Sequence, residues 1–238
     1  FLYNGEPYAG MMASPADLED FALGFSLAEG VVRRAGELEG LQVVPRPQGV
    51  ELQIAIPGRR ARLLAARPRT LAGRSSCGLC GVASLHQALR PLPVLPEGPR
   101  VAPEAVMRAV RALADRQPLF AAAGAVHAAA WCDLEGRILL LREDVGRHNA
   151  LDKAIGARAR RGDGVAPGFA LITSRLSVEM VQKAATAGIA LLAALSAPTA
   201  LAVEQAEATG MTLIVSARAD GLQIASHPER VTGGREGG

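Results

Sequence analysis

Residues 169–216 read FALITSRLSVEMVQKAATAGIALLAALSAPTALAVEQAEATGMTLIVS. Three short, uncharged apolar runs, Phe169–Thr173, Ile189–Leu195 and Met211–Ser216, have the character of buried strands. Between them, Val178–Ala187 and Leu201–Thr209 carry helical spacing. Strands alternating with helices of this length predict a sheet flanked by helices, an α/β fold. Outward from this run the pattern persists. His127–Cys132 and Ile138–Leu141 read as apolar strands joined by a turn at Glu135-Gly136. Arg147–Arg161 reads as a helix, and Leu222–Ala225 as a last strand. Ala105–Arg116 is a helix with Val106, Val110 and Leu113 on one face. Pro91–Pro99 holds four prolines and reads as an extended linker.

Nearer the N-terminus, Ser14-Pro15-Ala16-Asp17 offers an N-cap, a first-turn proline and an acid. Leu18, Phe21, Phe25 and Leu27 then keep helical spacing up to Gly30. Leu41–Val44 and Val50–Ile56 are strands around a Pro-Arg-Pro-Gln-Gly turn, and Arg59–Ala66 is a short basic helix. The expected organisation is therefore a small α+β unit over residues 1–70, followed by an α/β domain over 71–238. The second unit carries a Gly/Ser-rich CxxC loop over Arg69–Gly81 and a helix over Val82–Leu89. Thr232–Gly238 is expected to be a disordered tail. There is no internal repeat.

The 238 residues are 49% hydrophobic and 21% charged, which suits one or two domains with a real core and excludes general disorder. Aromatics at 3% argue against a base-stacking platform for single-stranded nucleic acid. A net charge of +3 is too small to predict nucleic-acid binding. The 26 basic residues are 24 Arg and only Lys153 and Lys183. Genome composition explains that bias, and Arg forks also suit phosphate and carboxylate partners. Ala184–Val203 is 20 residues without a charge, but its bulk is Ala and it holds Gly188, Ser196 and Pro198. It reads as α/β core, not as a membrane span. The expectation is a soluble, cytoplasmic protein. The chain begins at Phe1 and not Met, so a trimmed N-terminal piece is expected, and Phe1–Gly10 has no secretory signal pattern.

Three cysteines, Cys77, Cys80 and Cys132, exclude a disulfide scaffold. Ser75-Ser76-Cys77-Gly78-Leu79-Cys80-Gly81 is the strongest chemical signal. Two thiols with two residues between them can share a metal, form a disulfide or carry sulfur. Structural zinc needs four ligands, and neither a second CxxC nor a His pair is present, so no zinc is expected. A thioredoxin-like role would want a strand directly upstream. Two inert small residues in a loop is the bland alternative. Glycines beside both cysteines favour an accessible thiol on a mobile loop, and a helix start with Arg74 nearby should raise the thiolate fraction of Cys80.

Arg142 to Lys153 reads REDVGRHNALDK, after a strand and into a helix, where α/β folds place ligands. Capping by Glu143 and Asp144 with i,i+4 pairing is the plain alternative. Two further strand-to-helix turns, Thr173–Glu179 and Ser196–Thr199, are polar after apolar strands. Singly each is ordinary capping; gathered at one sheet edge they would make a phosphate cleft. His127, between Val126 and Ala128 in a strand, reads either as structural or as a ligand.

Together, SSCGLCG, GAVHAAAW, REDVGRHNALDKAIG, SRLSVEMVQKAATAGIALL and SAPTALAVEQAEATG resemble the formate dehydrogenase accessory sulfurtransferase family, in order from about Asn4 to Arg230. The resemblance implies a cytidine-deaminase-like α/β sandwich and a homodimer. It implies acceptance of persulfide sulfur from a cysteine desulfurase. Delivery is to the bis-molybdopterin guanine dinucleotide cofactor, which formate dehydrogenase needs. It implies Cys77 as the carrier, Cys80 as its companion, and cofactor contact by Val215, Ser216, Ala217, Arg218, Ala219 and Asp220. This chain reads VSARAD there, where many relatives carry an aromatic, and SRLS where S-G-R-x-S is usual. Zinc deaminases need H-x-E with P-C-x-x-C. His148 is followed by Asn149-Ala150, and the turn at Ser174–Ser177 has no Cys, so zinc hydrolysis is not expected.

The reading is a sulfurtransferase with Cys77 and Cys80 at the sulfur site. Arg147, His148, Ser174 and Arg175 hold the phosphates of the cofactor, which a guanine nucleotide would mimic. No nucleic acid and no membrane partner is expected. A thiol–disulfide oxidoreductase and a cofactor chaperone that carries no sulfur are the rivals.

Overall fold

The computed structural model describes residues 1–66, 91–164, 166–218 and 220–232, with only the backbone of Asp163. Cys77, Cys80, Ala219, the expected helix Val82–Leu89 and the tail beyond Thr232 lie outside the described residues. The N-terminal part holds a four-stranded sheet. Its strands are β1 (Leu2–Tyr3), β2 (Glu6–Pro7), β3 (Gly40–Arg46) and β4 (Gly49–Ala55), in the order β2-β1-β4-β3. The β3–β4 pairing runs past the expected strand ends to Arg46 opposite Gly49, so the turn shrinks to Pro47-Gln48. Asn4 and Gly5, with φ of 50° and 86°, make the tight β1–β2 turn.

Helix α1 (Leu18–Ala28) starts later than its sequence signals suggest. Asp17 takes the N-cap place, with no side-chain cap, and Ser14 is engaged elsewhere. One side of α1 buries Phe21 and Phe25 with Tyr3, Leu52 and Ile54. The other side crosses a later helix through Gly24. Helix α2 (Gly58–Ala65) closes this part with Leu64 buried.

The second sheet is buried on both faces, which is why its strands lack polar alternation. Helices α3 (Pro103–Leu113) and α4 (Pro118–Ala123) precede it. In β5 (His127–Asp133), Ala129 and Trp131 join one core while Ala130 and Cys132 join another. The remaining elements are β6 (Ile138–Asp144), α5 (Arg147–Arg160), β7 (Gly168–Ile172), α6 (Val178–Thr186), β8 (Leu191–Ala194), α7 (Ala200–Thr209), β9 (Thr212–Val215) and β10 (Gln223–Ser226). The strand order is β10-β9-β8-β7-β5-β6. Strands β7, β8 and β9 are parallel, β5 is antiparallel to both neighbours, and β10 is antiparallel to β9. Apolar residues of α5, α6 and α7 share one core with Trp131, Ile172, Leu192 and Leu213. On the opposite face, Val106, Ala109 and Leu113 of α3 pack with Phe169, Leu171, Leu191 and Ile214.

The α/β class expected from the alternating pattern is the class observed, a mixed sheet between helices. Helix α4 is an addition: it buries no residue, so no apolar periodicity announces it. The uncharged run Ala184–Val203 divides into the end of α6, β8 and the start of α7. Among the described residues, no helix is long and apolar enough to cross a membrane.

Helices α1 and α5 meet backbone to backbone. A Cβ on Gly24 would stand 1.6 Å from the Asp152 carbonyl oxygen, and one on Gly156 would stand 1.9 Å from that of Asp20. No side chain fits at either place, so the crossing requires glycine on both helices.

Candidate functional site

The three parallel strands end at one edge of the large sheet, and each passes into a turn. Main-chain hydrogen bonds join these turns side by side. Leu176 N donates to Ala197 O at 3.3 Å, and Thr199 N to Leu176 O at 3.0 Å. Ser216 N donates to Ser196 O at 3.3 Å, and Ala217 N to Ala194 O at 3.0 Å. Because β5 is antiparallel, its first residue His127 lies at this same edge, opposite Asp144 at the end of β6. Helix α5 begins there with Arg147 and His148. The topology thus collects Arg147, His148, Ser174, Arg175, Val215, Ser216, Ala217, Arg218 and Asp220 along one edge, the place where open α/β sheets hold ligands.

Their exposures differ. Arg175, Arg218 and Asp220 are exposed, and Arg147 and His148 are half-buried. Ser174, Val215 and Ala217 are buried. Ser174 Oγ donates to the Arg175 carbonyl at 3.1 Å. Val215 and Ala217 therefore belong to the two cores on either face of the sheet, with the backbone at Ser216 turning at φ 49°.

Much of REDVGRHNALDK is framework. Arg142 reaches Asp20 of α1 at 2.7 Å. Glu143 caps α4, accepting from Leu119 N at 2.8 Å and Phe120 N at 2.9 Å. Asp144, fully buried, accepts from Ser14 N at 2.9 Å, Gly146 N at 2.8 Å and Asn149 Nδ2 at 3.0 Å. Lys153 Nζ lies 2.6 Å from the same carboxylate and donates to Ser14 O at 2.9 Å. Asn149 Nδ2 also donates to Met12 O at 2.8 Å. The plain alternative, capping of α5 by Glu143 and Asp144, holds only in small part: Glu143 serves another helix, and Asp144 mainly braces residues far upstream. Asp152 binds Lys183 of α6 through both oxygens, at 3.0 and 2.9 Å. Burial alone would lower the Lys183 pKa, but the charges of Asp152 and Glu29 outweigh it and hold it above the ordinary lysine value.

His127 has its pKa lowered, first by burial and then by the positive charge of Arg147, against a smaller opposing effect of Asp144. A half-buried imidazole beside an arginine can present a nitrogen acceptor or donor at the edge. The start of α6 holds polar atoms that are buried without a hydrogen-bond partner. Ser177 takes the N-cap place without a side-chain cap, and its Oγ is buried without a hydrogen-bond partner. Both oxygens of Glu179, a residue 8% exposed, are likewise buried and unpartnered. Sequence reasoning passed over Glu179 because an acid just inside a helix start looks like routine first-turn chemistry. Among the described residues, no group of three or more His, Cys, Asp or Glu is arranged to hold a metal ion.

The model of the FdhD/NarQ family matches residues 1–232. The chain belongs to the FdhD/NarQ family. Among its relatives are two proteins called sulfur carrier protein FdhD. One, from Xanthomonas euvesicatoria pv. vesicatoria, is 54% identical over 97% of this chain and 82% of its own. The other, from Bordetella petrii, is 50% identical over 96% and 82%. A crystal structure described as a formate dehydrogenase accessory protein, from Desulfotalea psychrophila, matches with a TM-score of 0.72. It is 23% identical, over 98% of this chain and 86% of that one. The resemblance drawn from the sequence motifs is thus the family shown, and the fold is that of an FdhD/NarQ relative. In this FdhD/NarQ chain the turn Thr173-Ser174-Arg175 lacks the glycine of S-G-R-x-S, yet it still docks on its neighbour through Leu176.

Proposed function

We propose that this chain is a sulfurtransferase in formate dehydrogenase maturation, carrying persulfide sulfur on Cys77 to bis-molybdopterin guanine dinucleotide. The observation that carries the reading is similarity along nearly the whole chain to proteins called sulfur carriers, in a chain that itself holds two thiols with two residues between them. The Cys77 thiolate attacks the outer sulfur of a cysteine desulfurase persulfide. An S–S bond forms on Cys77 as the desulfurase S–S bond breaks, and the desulfurase thiolate leaves. Cys80 would assist exchange, or protect the carrier in a reversible disulfide. Free thiols of this kind suit the reducing cytoplasm, and a homodimer is the assembly proposed.

The edge described above is the proposed acceptor site. When bound, the cofactor supplies the metal that receives sulfur. The chain's own part is to bind and orient it. Arg147, Arg175 and Arg218 suit its phosphates, and the unpartnered polar atoms of Ser177 and Glu179 at the same edge fit a polar ligand. Cys77→Ala is expected to abolish maturation of formate dehydrogenase in cells lacking other copies. Cys132→Ala is expected to be tolerated, because burial pushes that thiol up to about 12 and it lies inside the sheet core. Normal maturation with Cys77→Ala overturns the mechanism. Mass spectrometry after incubation with a desulfurase and cysteine reads the persulfide directly.

A further inference from the structure

We propose that Glu179 reads the base of the bound nucleotide. Its carboxylate accepts two adjacent N–H groups from a 2-amino-4-oxopyrimidine edge, which guanine and pterin share. The inference rests on the functional reading above and adds the residue that gives it specificity. A buried carboxylate with neither oxygen hydrogen-bonded is costly, and such groups in native proteins call for an explanation. Packing alone does not account for this one. The neighbouring cation on the same helix face, Lys183, is already held by Glu29 and Asp152 at 2.9–3.0 Å. Among the described residues, Glu179 belongs to no group of three or more His, Cys, Asp or Glu arranged to hold a metal ion.

The surroundings point to the ligand edge. Helices α5 and α6 are tied by the Asp152–Lys183 pair. One turn earlier on each helix, nearer the edge, come His148 and Glu179. Ser177 Oγ, also unpartnered, opens the same turn, and Arg175 just before it is exposed, so this is a surface turn of the proposed cleft. Two carboxylate oxygens match two parallel N–H donors, as they match an Arg fork. Guanine and pterin offer such a pair. Hypoxanthine offers one donor, and adenine sets an acceptor against the carboxylate.

The test is calorimetry on the full chain with GDP, IDP, ADP and neopterin, comparing wild type with Glu179→Gln, beside thermal unfolding without ligand. Wild type is expected to prefer GDP over IDP by roughly ten-fold or more. Glu179→Gln is expected to weaken GDP roughly ten- to a hundred-fold and to erase that preference, with little change for IDP or ADP. Loss confined to GDP assigns the guanine as the edge read, and loss confined to neopterin with GDP binding intact overturns the assignment to the nucleotide base. The unliganded variant is expected to melt no lower than wild type, because it has lost an unpaired buried charge. A GDP to IDP preference that is the same in Glu179→Gln as in a wild type that binds GDP overturns the assignment and spares the functional reading. A lower melting temperature overturns it in favour of a structural carboxylate. Failure of wild type to bind either GDP or neopterin removes the edge as the acceptor site of the functional reading, and the assignment with it.

Discussion

Arg147 and His127 are coupled across the site edge, and the coupling gives one substitution two separate readouts. Burial is the larger cause of the depressed His127 pKa, and the Arg147 charge is the next. Arg147→Ala should therefore raise the His127 pKa in an NMR titration. It should also weaken guanine nucleotide binding roughly ten- to a hundred-fold, as loss of a charge-assisted phosphate contact does. Sulfur loading of Cys77 should be unchanged. Unchanged nucleotide affinity would remove Arg147 from the site, and loss of both activities would give it a folding role. The pH sign follows from linkage. The native state resists protonation of His127 while the unfolded chain accepts it near the ordinary value of about 6.5. Stability from this group is thus complete above that value and falls as the pH drops toward the folded-state pKa. Arg147→Ala should shrink that fall. At this scale the sequence marked the run as dense in polar groups but did not show how much of it is framework. Asp144 and Asn149 look like ligands or caps, because their partners Ser14 and Met12 lie more than a hundred residues upstream.

Among elements, the helix crossing of α1 on α5 is the feature most exposed to a single methyl. Gly24→Ala would force apart two backbones that now touch, and is expected to cost at least about 2 kcal/mol in urea unfolding. Gly36→Ala, where a Cβ meets nothing within 4 Å, is the control expected to change little. Equal stabilities would show that the crossing tolerates a shift. The strands and helices of the large sheet were legible, because runs such as Phe169–Thr173 and Val178–Ala187 have one period and sharp ends. Helix α4 was not, since it owes its start to Glu143 and not to a buried face. The β1–β2 hairpin is only two residues deep on each side. Its Asn4-Gly5 pair is nonetheless the standard signal for such a turn, and it was available to be read.

For the molecule as a whole, α1 lies between the two sheets and belongs to both. Phe21 and Phe25 pack in the N-terminal core, while Arg142 and Arg160 of the larger unit both bind Asp20. The segment before α1 is held just as firmly, by the fully buried Lys153–Asp144 pair at 2.6 Å. Lys153→Met strands the Asp144 carboxylate and should cost about 3–5 kcal/mol, as breaking one side of a buried pair does. Urea unfolding measures the cost, and limited proteolysis near Met12–Ser14 should become faster. A change below about 1 kcal/mol would mean that the pair adds little beyond the surrounding hydrogen bonds. None of this long-range bracing follows from local pattern. The sequence marked the two sheets as separate runs, and periodicity carries no information on what joins them.

The turns after β7, β8 and β9 are tied to one another by main-chain bonds rather than left as independent loops. A ligand seated across them would meet turns already fixed relative to one another by Leu176, Thr199, Ser216 and Ala217. It therefore forfeits little chain entropy on arrival, since the loops have been ordered by folding. Substitutions of single contact groups at such a rigid surface act chiefly on residence time and leave the rate of encounter almost untouched. Under the proposed function, slow release from an edge ordered in advance would suit a carrier whose acceptor waits for its sulfur.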